Sequence, residues 1–284
     1  MLGIREYAAE FVGTTVLLLV GLSAVCADFA TRSPVVSAIP DSNLRRLITG
    51  VIFAGTATAI VYSPLGRRSG GHINPAVTLA FLRLGKISPT SAAIYIAVQI
   101  GGALTGAAIV LAIWRGWATS VSLGATVPKD GGAAAAVAAE AAVTFLLVSL
   151  ILNFVDRRRL MPFTAAAAGA LVAFFVFVEA PVSGTSLNPA RTLGPAVVGG
   201  TFTDVWIYIL APPLGALAAA VLFRHRRSSV ACGKLFHTEA VECRFFDCRY
   251  TPPAKRLTAT RSASTASRMH DHRHPSAIAS TSSS

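Results

Sequence analysis

The sequence predicts an all-α membrane protein of six transmembrane helices and two re-entrant half-helices, arranged as an inverted repeat. Three observations carry that fold class. Apolar residues make up 53% of the 284 and charged residues only 13%, where a soluble domain holds about a quarter charged; the mean hydropathy is +0.60. Six apolar stretches reach the roughly 20 residues a helix needs to cross a bilayer. Two near-copies, "SGGHINPAVTLAF" (69–81) and "SGTSLNPARTLGP" (183–195), place Asn-Pro-Ala triplets at Asn74 and Asn188, 114 residues apart.

The first span is expected at about 7–27; it carries Glu10 near its start and is long enough to cross, so it reads as a membrane helix and not a cleavable signal. The others are expected at about 44–63, 91–114, 133–155, 161–180 and 204–223. Two shorter pieces, about 75–84 and 189–199, follow the Asn-Pro pairs. At about 1.5 Å per residue each covers roughly half the membrane and cannot span alone. "AAEFVGTTVLLLV" (8–20) aligns with "AAEAAVTFLLVSL" (138–150), matching Glu10 to Glu140 and Thr14 to Thr144. The channel domain, 1–223, therefore divides into halves of about 5–115 and 133–223. Each half holds three spans, so the second enters from the opposite side. Interrupted segments in matching positions of an inverted repeat point to a transport path at mid-membrane.

Proline is pre-shaped for the first helical position, where its missing N–H is no loss, and asparagine is a favoured cap just before it. Asn74-Pro75-Ala76 and Asn188-Pro189-Ala190 therefore read as two half-helix starts meeting near the bilayer centre. Irregular backbone at that depth is tolerated only inside protein or along a wet cavity. The segments before the triplets, with Gly71, His72 and Ile73 in the first and Ser186 in the second, supply carbonyls to line such a path. The two Asn amides can donate to the same file of molecules. Two facing positive helix ends oppose cations and protons.

The net charge of +12 does not indicate a nucleic-acid partner, because basic patches with interleaved aromatics are absent. Arg67-Arg68 and Arg157-Arg158-Arg159 flank apolar segments, as in cytoplasmic loops. Arg45 and Arg46 fall on the other side and mildly oppose this. Six spans put both termini on the cytoplasmic face of an integral protein of the cell membrane. Residues 224–284 hold eleven Lys/Arg against four Asp/Glu and read as a basic, disordered tail dispensable for conduction. Cys26, Cys232, Cys243 and Cys248 show no recognised ligand spacing and read as reduced thiols; "HDHRH" (270–274) reads as an incidental cluster. No metal or cofactor is expected. A paired acid and base, a nucleophile or a metal constellation is not found, which excludes a membrane enzyme.

Together with "PPLGA" (212–216), the two triplet motifs and the AAE starts resemble the major intrinsic protein family, the aquaporins and aquaglyceroporins, over about residues 5–223. The resemblance implies a passive pore for water and small neutral solutes that excludes protons and ions, in a homotetramer with one pore per subunit. It places a constriction at Arg191, Thr185, Val176 and a residue of the second helix. Counting back from Asn74 gives Ala54 for that fourth place, whereas the aromatic Phe53 suits the wall better. Strict water channels of the family usually hold His where Val176 stands, and glycerol channels usually hold Asp where Thr192 stands, so solutes such as glycerol, urea or undissociated acids stay open. Glu10 and Glu140 are read as structural acids bonded to the re-entrant loops. The competing class is a proton-coupled secondary transporter using those same acids.

Overall fold

The computed structural model describes residues 2–227 and 229–250, and among these every regular element is helical. In order they are α1 (Ile4–Phe29), α2 (Pro34–Ala38), α3 (Ser42–Tyr62), α4 (Pro64–Ser69), α5 (Pro75–Arg83), α6 (Pro89–Trp114), α7 (Gly116–Ser120), α8 (Gly132–Asp156), α9 (Thr164–Glu179), α10 (Pro189–Gly199) and α11 (Val205–Arg226). Six are long and apolar enough to cross a membrane: α1, α3, α6, α8, α9 with its leading turn from Met161, and α11. The half-helices α5 and α10 begin at the proline of each triplet, with Asn74 and Asn188 as their caps.

The repeat is visible in the packing. α1 lies against α6 as α8 lies against α11, and α3 pairs with its own counterpart α9. Each half-helix packs on the last span of the opposite half, α5 on α11 and α10 on α6. A small residue sits at each close crossing. A Cβ on Gly102 of α6 would strike the Phe11 carbonyl of α1, and one on Gly215 of α11 would strike the Ala141 carbonyl of α8. With lipid outside, such close contact supplies the attraction that the hydrophobic effect supplies in water.

The compact unit does not stop at residue 223. It runs to Cys248. The first part of the segment expected to be a disordered tail, 224–248, therefore belongs to the compact unit. Helix α11 continues to Arg226, and Val230, Cys232, Lys234 and Leu235 beyond it are buried. The polar composition of the segment concealed how its few apolar side chains are spaced. Phe236 meets Tyr62 edge-on at 5.0 Å, Phe246 N–H donates to the Lys86 carbonyl at 3.0 Å, and Arg244 pairs with Glu6 at 3.6 Å. Residues 251–284, including 270–274, lie outside the described residues.

Candidate functional site

Two irregular segments, 70–74 and 183–188, enter the helical body and end at the triplets. The residue before each asparagine takes a left-handed backbone, Ile73 at φ 41° and Leu187 at φ 57°. That conformation costs a non-glycine residue about 1–3 kcal/mol unless its surroundings hold it. A buried acid does so on each side. Glu10 accepts from His72 N at 3.0 Å and Ile73 N at 2.6 Å; Glu140 accepts from Ser186 N at 2.6 Å and Leu187 N at 2.8 Å. Tyr95 and Tyr208 brace the starts of the same segments, donating to the Ser69 carbonyl at 2.7 Å and the Ser183 carbonyl at 2.6 Å.

The triplets then clasp each other. Asn74 Nδ2 donates to the Leu187 carbonyl and Asn188 Nδ2 to the Ile73 carbonyl, both at 2.9 Å. Each Asn Oδ1 meanwhile accepts from its own half-helix, Ala76 N at 2.8 Å and Ala190 N at 3.0 Å. An amide nitrogen has two hydrogens, so one remains on each Asn for the cavity both residues line. Pro75, Ala76, Pro189 and Ala190 are buried at the helix starts and let them approach.

The cavity measures about 410 Å³, and Phe53, Val176, Thr185 and Arg191 all line it. Arg191 donates from Nη1 to the Gly124 carbonyl at 2.8 Å, and its guanidinium carbon lies 5.3 Å from the centre of the Phe53 ring. Both candidates on α3, Phe53 and Ala54, border the cavity, and the ring beside Arg191 is that of Phe53. Thr185 donates its hydroxyl to Glu179. Thr192 is fully buried and shares its hydroxyl with Thr126 and Ser186, both at 2.7 Å. Arg46 and Lys129 line the cavity as well; burial pushes the Lys129 ammonium below its ordinary pKa, and Arg46 adds to that shift.

Gly71, His72, Ile73 and Ser186 border the cavity. The His72 ring is otherwise engaged: it stacks on Phe81 at 4.8 Å, pairs with the Thr78 hydroxyl, and meets the Gly233 carbonyl at 2.8 Å. Gln99, Tyr95 and Tyr208 were not singled out in the sequence. The repeat could have found the tyrosines, since "IYIAVQIGGAL" (94–104) matches "IYILAPPLGAL" (207–217). Gln99 donates to Glu10 at 2.7 Å and has proline at its counterpart, so symmetry could not reveal it.

With that geometry established, residues 1–223 match the family pattern described as major intrinsic protein. The chain belongs to the major intrinsic protein family. It is 35% identical to aquaporin NIP3-1 of Zea mays, covering 78% of this chain and 69% of that one. It is 36% identical to the glycerol uptake facilitator protein-like 6 of Lactiplantibacillus plantarum, covering 78% and 97%. The fold is also that of the aquaglyceroporin from Plasmodium falciparum, with a TM-score of 0.65 at 23% identity over 78% of this chain and 95% of that one. As a member of the major intrinsic protein family, the chain is an integral membrane channel and not an enzyme. One expectation is corrected outside the pore: Cys232, His237, Cys243 and Cys248 do converge, with one ligand atom from each lying within 4.8 Å of the others.

Proposed function

We propose that this chain is a passive pore for water and small neutral solutes that excludes protons and ions. The observation that carries the reading is the reciprocal clasp of Asn74 and Asn188 between two half-helix starts, with Arg191 fixed along the same cavity. Opposed helix N-termini place positive potential mid-path, and a permanently charged guanidinium reinforces it toward one mouth. Arg46 and Lys129 add cationic charge along the cavity. A water molecule can accept from the two Asn amides and must turn as it does so, which interrupts a proton wire.

Val176 adds an apolar side chain to the cavity wall that also carries Arg191, suited to the carbon skeleton of glycerol, urea or an undissociated acid. Two relatives are named as an aquaporin and a glycerol uptake facilitator, and this chain is read as conducting both classes of solute. The proton-coupled alternative is disfavoured because Glu10 and Glu140 already accept loop N–H groups with both oxygens. Exposed Phe174, Phe177, Leu210 and Leu214 suit lipid and neighbouring subunits of a homotetramer. The flanking arginines favour cytoplasmic termini in the cell membrane.

The test is stopped-flow light scattering on proteoliposomes under osmotic gradients of water and of glycerol. Accelerated water flow with glycerol entry insensitive to a proton gradient is expected. Solute accumulation driven by that gradient would replace the pore with a carrier.

A further inference from the structure

Residues 229–250 contain no helix or strand, yet the segment buries Lys234 completely beside Cys232. A stretch this short and irregular has little core of its own, so its conformation is held by what it packs against, by a cross-link or by a metal. Four ligand-type side chains meet within it, from a Cys-x4-His-x5-Cys-x4-Cys spacing over 232–248. Cys232, His237 and Cys248 are buried and Cys243 is partly so.

Their separations are informative. Cys232 Sγ lies 3.6 Å from Cys243 Sγ and 3.4 Å from Cys248 Sγ; His237 Nδ1 lies 3.6 Å from Cys232 Sγ and 3.7 Å from Cys248 Sγ. Disulfide sulfurs would be about 2.05 Å apart. A tetrahedral zinc with Zn–S of about 2.3 Å and Zn–N of about 2.0–2.1 Å sets sulfur–sulfur edges near ~3.8 Å and sulfur–nitrogen edges near ~3.6 Å. Four of the six edges of the cluster fall at 3.4–3.7 Å, close to those values, and the other two are no longer than 4.8 Å. Its surroundings fit as well. The Lys234 backbone N–H points at Cys232 Sγ at 3.4 Å, the kind of outer bond that orients a thiolate ligand. Three thiolates around one Zn²⁺ leave a net negative charge, and the buried Lys234 ammonium, held by the Arg67 carbonyl at 2.7 Å, is the nearby counter-charge.

We infer that Cys232, His237, Cys243 and Cys248 form a structural Zn²⁺ site that seats residues 229–248 across one mouth of the pore. The same turn that carries the first two ligands carries Gly233, whose carbonyl meets His72, and Leu235, whose N–H donates to the Gly70 carbonyl at 3.0 Å and whose side chain lines the cavity. The ligand set of three Cys and one His, with all four positions filled by protein, selects zinc in a closed structural role.

Full-length protein purified from zinc-supplemented cells should hold one zinc per chain by elemental analysis. Reduced, chelator-stripped protein titrated with Co²⁺ should develop thiolate-to-cobalt charge-transfer and tetrahedral bands that saturate at one equivalent and vanish when Zn²⁺ is added. Cys232→Ser should lose the metal, whereas Cys26→Ser, altered in a helix remote from the cluster in sequence, should keep it. Stripping should also open the bond after Lys234 to trypsin, by at least tenfold in rate. Absence of zinc together with no cobalt band in the wild-type chain would overturn the site without recourse to any variant. So would a thiol count showing a disulfide among the three cysteines in the protein as isolated, or equal metal loss in Cys26→Ser.

Discussion

Replacing Glu140 by Gln leaves the shape of the side chain almost unchanged and removes one acceptor. The carboxylate takes Ser186 N–H and the Ser183 hydroxyl on one oxygen, at 2.6 and 2.7 Å, and Leu187 N–H on the other, at 2.8 Å. Gln has one oxygen to offer, so its NH₂ must face a backbone N–H. Losing a hydrogen bond to a charged acceptor costs about 1.5–3 kcal/mol, and leaving the buried N–H unpaired costs about 1–3 kcal/mol more. Leu187 is also the residue held at φ 57°, and its carbonyl is what Asn74 grips. The expected total is roughly 2.5–6 kcal/mol, which for a chain of this size lowers the melting temperature by on the order of 10 °C. Thermal unfolding in detergent reads the stability, and water flux per inserted chain reads the clasp. Glu10→Gln should act alike on the other loop, through His72 and Ile73. A melting point within a couple of degrees of wild type, with unchanged flux, would refute the claim that a carboxyl group accepting on both oxygens holds this loop.

Arg191→Val removes the fixed cation and opens space beside Phe53; larger solutes and some cations should then pass, read as current across planar bilayers and as glycerol swelling rate. Val176→His should lower the glycerol-to-water flux ratio about tenfold, equivalent to a discrimination of about 1.4 kcal/mol; an unchanged ratio would remove Val176 from the selectivity argument. Truncation after residue 250 should leave water flux intact. Truncation before residue 229 should cost stability, because it removes the partners of the His72 ring and the Gly70 carbonyl, and equal melting points for the two truncations would contradict that.

Much of this architecture is legible in the sequence because bilayer physics leaves few choices. A run of apolar residues long enough to span must be a helix, and the starts of α5 and α10 fall at Pro75 and Pro189 because asparagine before proline is a helix-start signal. Counting leaves Phe53 and Ala54 open because of a loop-length difference, and only the folded chain shows the Phe53 ring beside Arg191. Gln99 and Thr126 were illegible, since a polar residue on a long helix or loop shows nothing of its partner until the chain folds. The tail misled for a different reason. Its charge and serine content describe residues 224–284 on average, and they conceal the buried side chains of 230–235 and the four ligand-type side chains of 232–248, whose spacing matches no familiar pattern.

The barrier at the paired asparagines is the central claim, and the most direct test is to measure water and proton permeability in the same proteoliposomes. Water flux should rise well above that of protein-free vesicles while an entrapped pH dye reports no added proton leak. A proton leak that grows in step with water flux as protein is added would contradict the account.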